Sequence, residues 1–341
     1  MADSPGSLRA SGNGRPGRII PIHPAPAAHA RGQAIQRTRL GFQAGFFLLF
    51  ILAPVLDLFR YDLNSGHAWL LTFPWKLGLD AFSRGEIGAL EAASNVLLKL
   101  FLPIFAGAGV FIWAAWRWGR LYCGWLCPHF SVVERINRLM RRANGKPSVW
   151  DRKAVPPFEP DGTPLTYDAR WWLAVVPAAI AFAFVWAVVL LTYLLPPAEV
   201  YGNLWAGTPT RNQGLFIGIG TLVLTVEFLF ARHLFCRFAC AVGLFQSLAW
   251  MGNRRALVVG FARNRAAECA DCRADCEHAC PMRLKPRSIK RKMFTCTQCR
   301  QCVDACATVK RASPTGPLLT WVEGDAARRQ EASVSLTGHR D

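Results

Sequence analysis

Eight of the chain's twelve cysteines fall within the 38 residues from Cys269 to Cys306. They read CADCRADCEHACP from Cys269 and, with fifteen residues between Cys280 and Cys296, CTQCRQCVDAC from Cys296. The second run is C-x2-C-x2-C-x3-C, a spacing in which three close thiolates hold three corners of an iron–sulfur cubane and the fourth cysteine crosses to a second cluster. That crossing predicts two ligand sets. Cys269, Cys272, Cys276 and Cys306 serve one [4Fe-4S] cluster, and Cys280, Cys296, Cys299 and Cys302 the other. The first run carries one extra residue, and Ala307 stands after the second run where Pro281 follows the first. Zinc also accepts thiolates in C-x2-C pairs, but it has no use for the third and fourth cysteines repeated twice, so ligand softness and spacing favour iron and sulfide. Disulfides are disfavoured because the charge pattern below puts this segment in the reducing cytoplasm. No C-x-x-C-H occurs, which excludes covalent c-type haem by pattern.

The other four cysteines recur in a second pattern. GRLYCGWLCPHF, with Cys123 and Cys127, aligns with RHLFCRFACAVG, with Cys236 and Cys240, at an offset of 113 residues. The i, i+4 spacing predicts that both thiols of each pair share one helix face. The recurrence predicts a duplicated two-helix unit. Together Cys123, Cys127, Cys236 and Cys240 are candidates for a four-thiolate site holding a soft metal such as copper, or for two redox-active dithiols. The plainer alternative is small buried packing residues. His129 and His233 adjoin the two motifs and are candidates to bind a quinone head group or a metal, against ordinary hydrogen bonding. Glu227, inside an apolar block, is a candidate proton-handling group or a structural ion-pair partner.

Those cysteines are positioned by long apolar blocks. Of 341 residues 52% are hydrophobic, including 13 Trp and 22 Phe, and they gather at 40–59, 91–116, 171–195 and 214–235, each long enough to span a bilayer core. These blocks hold one histidine, His233 near the end of the fourth, which argues against a bis-His b haem. The first block lies too far in, and is too long, for a signal-peptide core, so it reads as a retained anchor. Residues 60–87, around Phe73-Pro74-Trp75, read as an interfacial loop, and Lys99 as a snorkelling cation. The net charge is +18. Of the 40 Lys and Arg, 35 sit before the first block, in 117–170 or from Arg232 onward, against four in the other two loops. That asymmetry predicts both termini, the central loop and the cysteine-rich tail in the cytoplasm, and it argues against a nucleic-acid groove.

The segments expected are a disordered tail at 1–38, where His23 and His29 read as solvated, and a first two-helix unit at 39–130. A cytoplasmic loop at 131–170 and a second two-helix unit at 171–250 follow, then a ferredoxin-like domain at 251–322 and a disordered tail at 323–341. Residues 241–268 read as a surface-lying amphipathic lead into the cluster domain. The basic stretch from Arg283 to Lys292 reads as a solvated face or a steering patch. The fold class expected is an α-helical membrane protein, four transmembrane helices as a two-fold repeat, with a cytoplasmic bacterial-type 2[4Fe-4S] ferredoxin-like domain.

This combination resembles the membrane-bound polyferredoxin family of NapH, the C-terminal region of NosR and CcoG-like 4Fe-4S proteins. The resemblance covers about residues 38–322. It implies ligand roles for the eight tail cysteines and a redox or metal role for Cys123, Cys127, Cys236 and Cys240. Ala241 and Ala307 stand where the family pattern has proline. The activity implied is an inner-membrane relay of electrons between the quinone pool or a cytoplasmic donor and a respiratory metalloenzyme system. This is an electron-transfer component rather than a stand-alone catalyst, with respiratory redox proteins and quinone as partners. The alternatives are an assembly factor that reduces or delivers copper for a respiratory oxidase or reductase, and a redox sensor.

Overall fold

The computed structural model describes residues 26–337 apart from 147, 151–153, 160–162, 232 and 271. His23 and the side chain of His29 lie outside the described residues. Four helices are long and apolar enough to cross a membrane: Gly32–Val55, Ala89–Trp118, Ala169–Thr192 and Arg211–Ala231. The first belongs to helix α1 (Pro26–Val55), so the segment read as tail up to residue 38 is helical from Pro26. Sequence periodicity misses this because the anchoring contacts are polar. Gln36 Nε2 donates to Cys299 O at 3.0 Å and to Asp304 Oδ2 at 2.7 Å.

The stretch 59–75 is an antiparallel sheet rather than a loop, with strands β1 (Phe59–Asp62), β2 (His67–Leu70) and β3 (Phe73–Trp75) in that order. Arg60 ties it together. Its guanidinium bonds to Asp57 and Asp62 and lies 5.4 Å from the Trp69 ring. Tyr61 N–H donates to Tyr193 O at 2.9 Å, which fixes the sheet at the far end of the third span. The second span, α2 (Ala89–Trp118), opens a wide turn at Leu97–Phe101, where Lys99 O accepts from Trp75 Nε1 at 2.9 Å.

Helix α3 (Pro128–Asn144) occupies the first part of the expected central loop. Phe130, Val133, Ile136 and Met140 recur at helical spacing and are fully buried, and Gly145, at φ 70°, ends the helix in the left-handed conformation. Helix α4 (Trp172–Thr192) offers Val175, Ala179 and Ala183 to that face, and Phe228 closes the cluster. Helix α5 (Arg211–Val226) starts at a capping box in which Thr210 and Gln213 bond reciprocally. It passes close to α4, since a Cβ on Gly220 would lie 3.2 Å from that of Ala187.

Helix α6 (Ala241–Met251) follows the second C-x3-C motif and packs against the end of α2. Strands β4 (Val258–Phe261) and β5 (Leu319–Val322) pair antiparallel and bracket the cysteine-rich segment, which contains helix α7 (Gln301–Val309). The tail expected to be unstructured instead forms helix α8 (Asp325–Thr337). Ala327 is fully buried beside Trp250, Ala256 and Val258, and Arg255 meets Asp325 at 3.1 Å. Among the residues of this polar helix whose side chains are described, Ala327 is the one that is buried, which leaves almost no hydrophobic signature in the sequence.

Candidate metal centre

The eight tail cysteines divide between two cavities. Cys269, Cys272, Cys276 and Cys306 line one. Cys280, Cys296, Cys299 and Cys302 line the other. The first lies nearer the surface, with three of its cysteines half-buried, whereas three of the second set are buried. The backbone between the cysteines turns repeatedly through the left-handed region without glycine. Ala274, Arg283, Gln298 and Arg300 have φ between 53° and 64°. Such turns aim consecutive N–H groups at an anionic centre, and peptide N–H groups do meet sulfur here: Leu284 N donates to Cys280 Sγ at 3.4 Å.

Burial pushes the Cys276 and Cys280 thiols up to about 12, so they ionise only where a metal core supplies the compensating charge. Among the described residues no three Cys, His, Asp or Glu side chains close around a single ion, a geometry that for zinc brings thiolate sulfurs to about 3.8 Å from one another. Four soft sulfurs around a cavity instead fit a core of several atoms.

The second cavity sits directly on the first C-x3-C motif. Gly124, between Cys123 and Cys127, is so close to the Cys296–Cys299 turn that a Cβ would lie 2.1 Å from Thr297 O. Trp125 Nε1 donates to Gln298 O at 2.9 Å, and Ser247 Oγ to Phe294 O at 2.7 Å. A buried polar knot backs this seam. Arg39 of α1 donates through Nε to Gly124 O at 2.8 Å and through Nη2 to Glu134 Oε2 at 2.5 Å, and Gln301 Nε2 bonds Glu134 Oε1 at 2.5 Å. Burial alone would raise the Glu134 carboxyl, but the guanidinium groups of Arg39 and Arg138 hold it down to about 2.

The C-x3-C pairs are not on continuous helices, which corrects the one-face expectation. Cys123 lies in the turn Leu121–Trp125, and the chain then breaks so that Cys127, at ψ 117°, stands at the N-terminus of α3. Pro128 forces that break, because the residue before proline is driven out of the helical region. Cys236 lies in the wide turn Phe235–Ala239, and Cys240, at ψ 107°, stands at the N-terminus of α6 in the same way, although Ala241 follows it. His129 joins the motifs: its Nε2 is 2.8 Å from Glu227 Oε2, and its Nδ1 is 3.5 Å from Cys236 Sγ. His233 is buried and stacks on Phe130 at 4.7 Å.

Residues 100–147 and 213–257 match the family described as 4Fe-4S binding domain. YccM of Escherichia coli (strain K12), named for electron transport, is 27% identical over 224 residues, 65% of this chain and 56% of that protein. The chain is related to the membrane-bound polyferredoxins. The ferredoxin-type protein NapH of Escherichia coli (strain K12) is 23% identical over 250 residues, 67% of this chain and 70% of NapH. The regulatory protein NosR of Pseudomonas aeruginosa is 26% identical over 301 residues, 85% of this chain but 35% of NosR. The chain thus spans little more than half of YccM. No solved structure matches the chain.

The molecule also uses residues that the spacing rules did not single out. Gly124, Arg39 and Glu134 serve the seam between membrane and cluster segments, and Arg120 ties the first C-x3-C motif to the backbone of the second. Their signal was positional: Arg39 and Arg120 are cations at the ends of apolar blocks, where positive-inside counting absorbs them.

Proposed function

We propose that this chain is an inner-membrane electron-transfer protein that holds two [4Fe-4S] clusters at its cytoplasmic face. It would relay electrons between the quinone pool or a cytoplasmic donor and a respiratory metalloenzyme system. The observation that carries the reading is the division of eight interleaved cysteines between two cavities in the pairing that ferredoxin spacing predicts. Cys269, Cys272, Cys276 and Cys306 would hold the outer cluster, and Cys280, Cys296, Cys299 and Cys302 the inner one. Each core, when bound, takes up and gives back one electron at a time.

The chain's own residues supply burial, N–H donors to sulfur and local charge, the levers that set potential in such sites. The half-buried outer set faces a soluble or membrane partner, and the inner set rests on the Cys123–Cys127 turn, so the order outer, inner, membrane motif follows from packing. The charge asymmetry supports cytoplasmic termini. The match of one family to both 100–147 and 213–257 supports the two-fold repeat.

The test uses the full chain purified anaerobically, with Cys272→Ser and Cys302→Ser compared by iron, sulfide and EPR of the dithionite-reduced protein. Each variant is expected to lose about four iron and a different half of the signal. Iron unchanged in both variants, or zinc bound without sulfide, refutes the assignment.

A further inference from the structure

The two C-x3-C motifs interlock around a buried cation. Arg120 is 1% exposed and, among the described residues, has no carboxylate partner. Its Nε donates to Gly243 O at 2.7 Å and its Nη2 to Cys236 O at 3.0 Å, so a side chain just before the first motif is held by the backbone of the second. Gly243 is there to admit it, since a Cβ would lie 2.1 Å from Nη2. A guanidinium buried among neutral groups is costly and is stabilised by an adjacent anion. Its Nη2 sits on the carbonyl of Cys236, so anionic sulfurs held at the two motifs would supply the charge it lacks.

Nitrogen groups also converge on the sulfurs. Gln246 Nε2, from α6, donates to Cys123 Sγ at 3.3 Å, and the His129 ring nitrogen lies 3.5 Å from Cys236 Sγ. Cys127 and Cys240 occupy the same N-terminal position on α3 and α6. The stretches that match a 4Fe-4S binding domain contain these four cysteines and none of the eight in the tail.

We propose that Cys123, Cys127, Cys236 and Cys240 are the ligands of a third iron–sulfur cluster, supplied symmetrically by the two C-x3-C turns, with Arg120 as its buried counter-charge. The packing of Gly124 on Thr297 then makes this cluster the neighbour of the inner ferredoxin cluster. The inference deepens the two-cluster reading and rests on it only for that adjacency.

The test counts iron and acid-labile sulfide in the full chain, purified anaerobically in detergent. The wild type is expected to hold about twelve of each, and Cys240→Ser about eight, with the reduced EPR signals of the other two clusters retained. Eight in the wild type, unchanged in Cys240→Ser, overturns the third cluster and leaves the two-cluster reading standing. Copper bound at these cysteines in place of iron does the same. A protein with neither iron nor sulfide overturns both readings together. Arg120→Gln is expected to lose four iron or to lower the midpoint potential of the third cluster, and Arg120→Lys to restore wild-type behaviour. An Arg120→Gln protein with full iron and an unmoved potential removes the counter-charge role.

Discussion

Replacing Gly124 by alanine tests whether the cluster segment is seated on the membrane motif as described. The new methyl would lie 2.1 Å from Thr297 O and 3.1 Å from Thr297 C, both backbone atoms that cannot swing aside. To reach the 3.4 Å of ordinary contact the Cys296–Cys299 turn must retreat by about 1.3 Å. Overpacking of this kind costs about 1–3 kcal/mol. The 2.9 Å bond from Trp125 to Gln298 O stretches beyond hydrogen-bonding distance in the process, a further loss of about 1 kcal/mol. The expected destabilisation is therefore about 2–4 kcal/mol, concentrated at the seam. Heating the iron-loaded protein while following cluster absorbance reads it directly, as earlier bleaching in Gly124→Ala. The control is Gly107→Ala in α2, where a Cβ meets nothing within 4 Å and only the helix preference for alanine operates. If both variants bleach at the wild-type temperature, the cluster segment does not rest on Gly124.

Other perturbations probe the same architecture. Glu134→Gln leaves Arg39 buried without its anion and is expected to cost roughly 3–5 kcal/mol, measured by denaturant unfolding. Because the Glu134 carboxyl is held near 2 in the fold, against an ordinary value near 4.3, its contribution is fully present above about pH 5. It fades as pH falls toward 2, so wild type and Glu134→Gln should converge in stability on acidification. Pro128→Ala is expected to cost under about 1 kcal/mol, since Cys240 holds the same backbone conformation before Ala241. A larger loss would show that the two motifs are not equivalent. Reconstituting the chain with iron and sulfide should release protons from the buried Cys276 and Cys280 thiols as fully at pH 9 as at pH 7, because burial keeps both protonated up to about 12. A release that falls between pH 7 and pH 9 as expected of eight ordinary thiols would contradict the placement of Cys276 and Cys280 in protonating surroundings.

Much of the molecule was legible in its sequence, for identifiable reasons. The four spans emerge because bilayer length imposes uninterrupted apolar runs, and the two cysteine sets because cluster geometry imposes short spacings. Helix α3 was missed as a separate element because its polar face, with Arg135, Arg138, Arg141 and Arg142, dominates the composition of the loop that contains it. The sheet at 59–75 was hidden by its small size and by Pro74. The break between Cys123 and Cys127 could have been read from Pro128, whereas the matching break before Ala241 is imposed by packing and leaves no local mark. The Arg39–Glu134 knot joins residues 95 positions apart, beyond any pattern of period 2 or 3.6.

The pairing of β4 with β5 has a consequence for how the protein is made. Those strands close the cluster segment at its base, so its fold cannot be completed until residue 322 has been synthesised. Cys306 follows Cys269 by 37 residues, and at about 5–20 residues per second the outer set stays incomplete for some 2–7 seconds after its first member emerges. By then all four spans have left the ribosome and the Gly124 turn is already formed. The membrane half is therefore a finished seat that waits for its passenger, and loading with iron and sulfide belongs to the last moments of biogenesis.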